Sequence, residues 1–201
     1  MTGAGKKSTA RRERREAALK KKKRRRILIF SVVGVLGLAI SAVIVVAVTS
    51  PGPEELANVE TFPDMGGGHL AQGEAPPDYN SSPATSGRHA TSPVPCGIVA
   101  TQVPDQFQVH NLEHGTVIIQ YTPDLLETEL TSLQDYARSK PGHILVAPNP
   151  DLSDPVVVTS WRRMLRLDSV DLNTIDLYYG EFVRTGPEVG VACPFAIDES
   201  G

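Results

Sequence analysis

Cysteine is scarce in this 201-residue sequence, which has only Cys96 and Cys193. Two residues so far apart cannot form the Cys-x-x-Cys pair of a thioredoxin-type redox motif. A disulfide is the favoured interpretation, because thiols oxidise outside the cytoplasm. Two free thiols, or a metal-binding or redox role, stay open. A disulfide that closes a loop of about 100 residues stabilises a fold by ~4–5 kcal/mol in the chain-entropy model.

Basic residues are nearly absent after residue 50. Residues 51–201 contain 7 Lys and Arg against 21 Asp and Glu, whereas residues 1–50 contain 13 against 2. We interpret residues 1–26 as a basic cytoplasmic tail that contacts anionic lipid head groups. A nucleic-acid-binding arm is the alternative, but the tail directly precedes a long uncharged segment that is typical of a membrane span. We therefore predict no nucleic-acid partner.

Charge is missing altogether from residues 27–48. A helix of this length spans the ~30 Å hydrocarbon layer, so we predict a transmembrane helix. The basic block 20–26 before it should stay in the cytoplasm, which makes the chain a single-pass protein of the cell membrane with an extracytoplasmic C-terminal domain. A cleaved signal peptide is the alternative, but no small-x-small cleavage site follows the apolar segment.

Proline and glycine are dense between residues 49 and 95, which predicts a segment without long helices or strands. We assign 49–60 to a linker and 61–201 to the extracytoplasmic domain. Residues 61–95, called the wrap below, contain Asn, Ser and Thr side chains that can satisfy the backbone of turns. We therefore expect the wrap to be ordered and to lie over the domain.

The pattern after Cys96 predicts an α+β domain with one small mixed or antiparallel sheet covered by two helices. Its predicted order is β-β-α-β-β-α, with the strands at 143–147 and 155–161 paired as a hairpin. A ferredoxin-like and a thioredoxin-like arrangement both fit. The predicted strands are 97–100, 116–121, 143–147, 155–161 and, as a short addition, 164–167; the predicted helices are 124–139 and 172–184.

The most informative stretch is 109–115, Val-His-Asn-Leu-Glu-His-Gly. His110, Glu113 and His114 match the His-x-x-Glu-His pattern of inverted zinc proteases, which requires a helix. Pro104 lies shortly before the pattern, and Gly115 with a β-branched run follows it, so we predict no helix and no protease here. In an extended chain His110 and His114 would lie about 13 Å apart, and a shared site would need a turn between them.

The main hypothesis is a transition-metal site, copper or zinc, formed by His89, His110 and His114 with Glu113 as a ligand or hydrogen-bond acceptor. The alternative is that these histidines hydrogen-bond the backbone of the wrap and hold it in place. A third hypothesis is a hydrolase in which a histidine and Glu113 act as acid and base. No reaction follows from the pattern, so whether the protein is an enzyme is left open.

Other residues are weaker candidates. His69 follows a triple glycine that would let a partner approach closely, and His143 at a strand start is interpreted as structural. Trp161 is expected in the core. The three arginines that follow it are expected to be a salt-bridged surface rather than an anion site; they are Arg162, Arg163 and Arg166.

Two motifs carry a family resemblance: Asn-Ser-Ser-Pro-Ala-Thr-Ser-Gly-Arg-His at 80–89 and His-Asn-Leu-Glu-His-Gly at 110–115. Together with Thr-Ser-Trp at 159–161 and Gly-Pro-Glu at 186–188, they resemble the domain of unknown function 3105 family over residues 61–194. The resemblance implies a bacterial protein with one N-terminal membrane span, and no activity. One departure is Arg162, where the family has glycine after the tryptophan, and this argues against a tight turn there.

Two functions are therefore expected. The first is an uncharacterised single-pass membrane protein whose extracytoplasmic domain binds a transition metal through a histidine cluster. The second is a non-catalytic structural or partner-binding module of the cell envelope. The partner expected for residues 1–48 is membrane lipid. The sequence does not identify a protein partner.

Overall fold

The computed structural model of the chain describes residues 56–193. The predicted cytoplasmic tail 1–26 and transmembrane helix 27–48 lie outside these residues, as does most of the linker 49–60. Within the described range, no helix is both long and apolar enough to cross a membrane.

A six-stranded mixed sheet forms the centre of the described domain. The strands are β1 Glu60–Thr61, β2 Gly97–Ile98, β3 Val117–Tyr121, β4 Ile144–Pro148, β5 Val156–Ser160 and β6 Arg163–Leu167. Their order in the sheet is β1-β6-β5-β3-β4-β2. The pairs β3–β4 and β2–β4 are parallel, and the pairs β3–β5, β5–β6 and β1–β6 are antiparallel. The predicted mixed sheet and α+β class are confirmed.

The predicted hairpin between the strands at 143–147 and 155–161 is wrong. Strand β4 runs parallel to β3, as an intervening helix requires, and β5 pairs with the other side of β3. The hairpin is instead β5–β6, which turns through Trp161 and Arg162. Arg162 has φ 64°, a left-handed conformation that favours glycine, so the expectation of no tight turn at this position is also wrong.

Three helices lie in the described part of the chain, one more than predicted: α1 Asp105–Glu113, α2 Glu127–Arg138 and α3 Leu172–Phe182. The prediction that no helix covers the His-x-x-Glu-His pattern is wrong. Pro104, with φ −62° and ψ 145°, directly precedes α1, and Gly115 with φ 78° follows its cap residue. The residues that argued against a helix are therefore its start and stop signals.

The order of elements does not match the ferredoxin-like order β-α-β-β-α-β. The chain instead forms a parallel crossover β3-α2-β4, followed by the antiparallel hairpin β5–β6 and then α3.

Hydrophobic cores lie on both faces of the sheet, because successive side chains of a strand point to opposite faces. On one face Val117 and Ile119 pack with helices α2 and α3. On the other, Ile118 packs with α1 and with Ala84 of the wrap, and Trp161 belongs to this second core as predicted. Strand β3 is buried along its whole length, so α1 and the wrap cover a face that would otherwise be exposed.

The wrap is ordered, as expected. Ala84, Thr85, Ser86 and His89 are completely buried within it. Its first residues continue from β1. The Phe62 N–H donates a 2.8 Å backbone hydrogen bond to the carbonyl of Arg162, in the turn between β5 and β6. The peptide between residues 82 and 83 is cis.

The three arginines after Trp161 each contact other residues of the domain. Arg166 forms ion pairs of 2.9 Å with Glu60 and with Asp154, which confirms the salt-bridge prediction for this residue. Arg162 donates to a backbone carbonyl, and Arg163 lies over the ring of Phe182.

Cys96 and Cys193 lie at disulfide-bonding distance, with their sulfur atoms 2.07 Å apart and a sequence separation of 97 residues. The favoured sequence interpretation is confirmed. The Cys193 carbonyl also accepts a hydrogen bond from the His143 backbone N–H, which holds the end of the described chain beside the start of β4.

Removing this bond should destabilise the domain. We expect the double variant Cys96→Ala/Cys193→Ala to lose ~2–5 kcal/mol of unfolding free energy, because the unfolded chain regains the freedom of a long loop. Urea denaturation of the variant and of the wild type, each with and without reductant, measures this loss. Reductant should shift only the wild type, and an unchanged wild-type midpoint would contradict the bond.

Asp105, at the start of α1, should oppose folding as it ionises. Burial raises its pKa, as does the nearby charge of Asp151, although a hydrogen bond from the Ala84 N–H acts in the opposite direction. Because the folded pKa lies above the unfolded one, its contribution to stability is present at low pH and is lost as the pH rises through the folded pKa. Asp105→Asn keeps an oxygen acceptor for Ala84 and Gln108, so it should equal or exceed the wild type in stability at pH 7.

Asp171, the N-cap of α3, should change stability with pH in the opposite direction to Asp105. Its hydrogen bonds with Thr174 lower its pKa, so its contribution is present above the unfolded pKa and is lost as the pH falls through the folded pKa. Asp171→Asn should therefore lose stability at pH 7. Urea midpoints between pH 3 and pH 7 compare the two variants with the wild type, and equal responses would contradict the assignment.

Candidate metal centre

The last turn of α1 presents three polar side chains to the interior. His110 and Glu113 lie on the helix, and His114 is its C-cap residue. All three are buried, with at most 8% of each residue exposed. Residues three and four apart share one face of a helix, so the missed helix brings these side chains together without the turn that an extended chain would need.

The wrap delivers two more histidines. Residues 66–70 run beside residues 87–89, and His69 and His89 form a parallel bridge. Backbone hydrogen bonds join Gly87 to Gly66 at 3.0 Å and His89 to Gly68 at 3.1 Å. Because Gly66 and Gly68 have φ 76° and 95°, a side chain at either position would be strained. The glycines thus allow the backbone conformation of the segment that carries His69.

His69, His89 and His110 form one cluster. One ring nitrogen from each lies within 4.8 Å of those of the other two, and the ring centroids are 5.0–5.3 Å apart. His89 is completely buried and His110 nearly so, whereas His69 is exposed. The cluster therefore has two fixed interior members and one member that faces solvent.

Backbone carbonyls fix the tautomers of the two buried rings. His89 Nδ1 lies 2.9 Å from the Gly87 carbonyl oxygen, and His110 Nδ1 lies 2.7 Å from the Ala90 carbonyl oxygen. A carbonyl only accepts hydrogen bonds, so each Nδ1 carries the proton. In the neutral ring the lone pair then resides on Nε2, which is the form that ligates a metal ion.

His89 Nε2 is the least satisfied atom of the cluster. Glu113 Oε2 lies 2.9 Å away, but the contact does not meet hydrogen-bond geometry, and within residues 56–193 this fully buried nitrogen has no hydrogen-bond partner. A buried polar atom without a partner costs about 1–3 kcal/mol. The short, misdirected contact is what two ligands of one ion show, because both then point at the ion rather than at each other.

The surroundings of His110 favour the neutral form of its ring. Burial lowers its pKa, the hydrogen bond to Ala90 opposes this, and repulsion by the other three histidines, His114, His89 and His69, lowers it further. A neutral imidazole is ready to bind a cation without first releasing a proton.

A second group lies next to the first and consists of Glu113, His114 and Glu188. His114 Nε2 is 3.5 Å from Glu188 Oε2, and the His114 ring is 4.5 Å from that of His110, measured between centroids. The two histidines of the His-x-x-Glu-His pattern are thus grouped with different partners. A single ion held by both, as in the inverted proteases, is not the arrangement that these groups favour.

The four residues predicted as ligands are therefore distributed over two adjacent groups. His89 and His110 fall in the first, and Glu113 and His114 in the second. His69, the weaker candidate, joins the first group. Glu188 was missed, and its only signal was the Gly-Pro-Glu motif of the family resemblance.

Close backbone packing positions Glu188. An added Cβ on Gly186 would lie 2.2 Å from the Glu113 carbonyl oxygen and 2.5 Å from that of Leu112, so only glycine fits at this position. Glu188 N–H donates to the Glu113 carbonyl at 3.0 Å, and Arg184 N–H donates to that of Gly115 at 2.7 Å. These contacts attach residues 184–188 to the end of α1.

Hydrogen bonds of two further side chains, Arg88 in the wrap and Asn111 on α1, also hold the histidine cluster in place. Arg88 donates to the His69 carbonyl at 3.0 Å and pairs with Glu74, whose pKa this interaction lowers. Asn111 on α1 exchanges two hydrogen bonds with the backbone of Val94, at 2.7 and 2.9 Å.

His143 lies outside both groups. Its backbone has φ 53°, and burial lowers its pKa, as does the charge of Arg184. Its position at the start of β4, with its N–H bonded to Cys193, serves the backbone.

The family model of the proteins of unknown function DUF3105 matches residues 71–194. The chain belongs to this family. Five of the six clustered residues lie within the matched part of the DUF3105 domain, and His69 lies just before it. No curated protein and no solved structure matches the chain. Family membership therefore brings no activity with it, and function has to be argued from the site.

The packing of Gly186 in the DUF3105 domain gives a direct test. Gly186→Ala should lower the unfolding free energy by at least ~1–3 kcal/mol, because the backbone must move away from α1. Gly180, inside α3, has no atom within 4 Å of an added Cβ, so Gly180→Ala should stabilise by ~0.5–1 kcal/mol. Urea midpoints measure both variants. Equal effects of the two substitutions would contradict the close approach.

Proposed function

We propose that this protein binds a transition-metal ion, zinc or copper, through His69, His89 and His110. The observation that carries the proposal is the position of His89. Two further imidazoles and the Glu113 carboxylate lie around its ring, and its buried Nε2 has no hydrogen-bond partner in the described part of the chain. Three imidazoles form a donor set that suits zinc and copper.

The distances support a site that needs little rearrangement. Ligands bound tetrahedrally to one zinc ion at about 2.0 Å lie about 3.3 Å apart. The three nitrogen atoms are within 4.8 Å of one another, so the rings need to close by at most about 1.5 Å. His69, on the exposed side, can move most freely. Glu113 is close enough to His89 to act as a further ligand.

The hydrogen bonds of His89 and His110 to backbone carbonyls also support the proposal. Metal-ligating histidines commonly donate their other ring N–H to a carbonyl or a carboxylate, which fixes the ring and raises its basicity. Both buried rings have this arrangement, with Nδ1 bonded and Nε2 left for a ligand.

We further propose that residues 27–48 anchor the site outside the cell membrane. The 22 uncharged residues, the basic block 20–26 and the bonded cysteine pair support this location. A site with one exposed histidine beside a membrane anchor suits the capture and transfer of metal ions at the cell surface.

The competing function is a structural module whose histidines hold the wrap. It is favoured by the same Nδ1 hydrogen bonds, since both join side chains to the wrap backbone. In that case the Nε2 atoms have no task, and their removal should change nothing but local packing. The two functions therefore differ in what an Nε2 deletion does.

Replacement by asparagine makes this deletion cleanly. An asparagine side chain can place its amide N–H near the position of Nδ1 while lacking Nε2. We expect the full chain, purified in detergent without a histidine tag, to retain about one equivalent or more of zinc or copper, as purified or after incubation with the ion. His89→Asn and His110→Asn should each lower the affinity at least ~10-fold while staying folded. Elemental analysis and competition with a chelator measure the change.

His143→Asn is the matched control, because His143 lies outside both groups and asparagine tolerates a positive φ. It should bind metal as the wild type does. A wild type that binds neither ion, or a folded His110→Asn variant that binds with unchanged affinity, overturns the metal function and leaves the structural module.

A further inference from the structure

We infer that the site holds two divalent metal ions, with the Glu113 carboxylate as the bridge between them. The inference rests on the proposed function and extends it by a second site, formed by His114 and Glu188. One imidazole with two carboxylates is a harder donor set than three imidazoles, and it suits zinc, manganese or iron.

Glu113 occupies the position that a bridge requires. It belongs to the group with His114 and Glu188, and one of its oxygen atoms, Oε2, also lies 2.9 Å from Nε2 of His89 in the other group. Its second oxygen, Oε1, lies 2.6 Å from the position of an added Cβ on Gly67. A carboxylate offers two oxygen atoms, so a single residue can serve both ions.

The two groups also share one helical turn. His110 and His114 belong to different groups, yet their ring centroids are only 4.5 Å apart. Two-metal sites typically hold their ions about 3.5–4 Å apart. Groups as close as these, with Glu113 in one group and in contact with His89 of the other, can form one binuclear centre.

Charge gives a reason for a second ion. Glu113 is buried, whereas 60% of the Glu188 side chain is exposed, and ligand atoms of the two residues lie within 4.8 Å of each other. Solvent screens part of the repulsion between these carboxylates, and a bound cation would compensate the rest. A divalent ion between them, with His114 as the third ligand, removes the repulsion.

The fold holds Glu188 in place independently of its side chain. The backbone hydrogen bond from Glu188 to Glu113 and the close contact of Gly186 with α1 both involve main-chain atoms. Glu188→Gln should therefore leave the backbone unchanged and remove only a ligand charge. Glu181, exposed on α3 and outside both groups, provides the control Glu181→Gln.

The experiment is a titration of the full chain in detergent with Co²⁺, followed by absorption spectroscopy and equilibrium dialysis. We expect two equivalents for the wild type and for Glu181→Gln, and one for Glu188→Gln. Glu113→Gln should weaken both sites. Electron paramagnetic resonance of the doubly loaded wild type should show coupled ions, whereas Glu188→Gln should show the signal of an isolated ion.

The outcomes separate this inference from the proposed function. One equivalent in both the wild type and Glu188→Gln overturns the second site and leaves the three-histidine site standing. No bound metal in the wild type overturns both. Two equivalents without magnetic coupling, or a Glu113→Gln variant that loses only one site, overturn the bridging role of Glu113.

Discussion

The hydrogen bonds between the wrap and helix α1 are what bring the histidines together. Ala90 donates its N–H to Gln106 and accepts from the His110 ring, while Asn111 pairs with the backbone of Val94. Together with the packing of Ala84 against α1, these bonds fix the position of His69 and His89 relative to the helix. Because backbone and side-chain bonds act together, the same contacts that cover the sheet also set the ring orientations and tautomers.

The part of the fold that depends on local pattern could be predicted. Alternating β-branched residues gave the strands, and apolar spacing gave α2 and α3. Helix α1 was missed because all its residues from Gln108 to Glu113 are buried, polar ones included, so it has no apolar stripe. The pairing of β5 with β3 was missed because it depends on the parallel crossover through α2. That crossover joins strands far apart in the sequence, so no local pattern predicts it.

The site was predictable to the extent that its residues are chemically rare. His89, His110, Glu113 and His114 stand out in motifs. The structure places the last three at the end of α1, and His89 of the wrap beside them. His69 was the weaker candidate, because its place in the cluster depends on backbone pairing of residues 66–70 with 87–89. Glu188 was missed, because it lies near the other residues through the close packing of Gly186 against α1. That contact joins distant parts of the sequence, and no sequence pattern predicts it.

The cost of burying these groups favours a ligand over a purely structural role. A histidine that only holds the wrap needs one hydrogen bond, through Nδ1, and its second nitrogen could be replaced by an apolar group without loss. The protein instead keeps Nε2 of His89 buried and unpartnered, beside the carboxylate of Glu113. Polar groups buried without partners destabilise a fold, and apolar packing of similar volume would avoid this cost. His143 Nδ1 is also buried without a partner among the described residues, so a missing partner alone does not indicate an ion. What distinguishes His89 is the pair of further imidazoles and the carboxylate around its ring, and these are the physical reason for inferring an ion there.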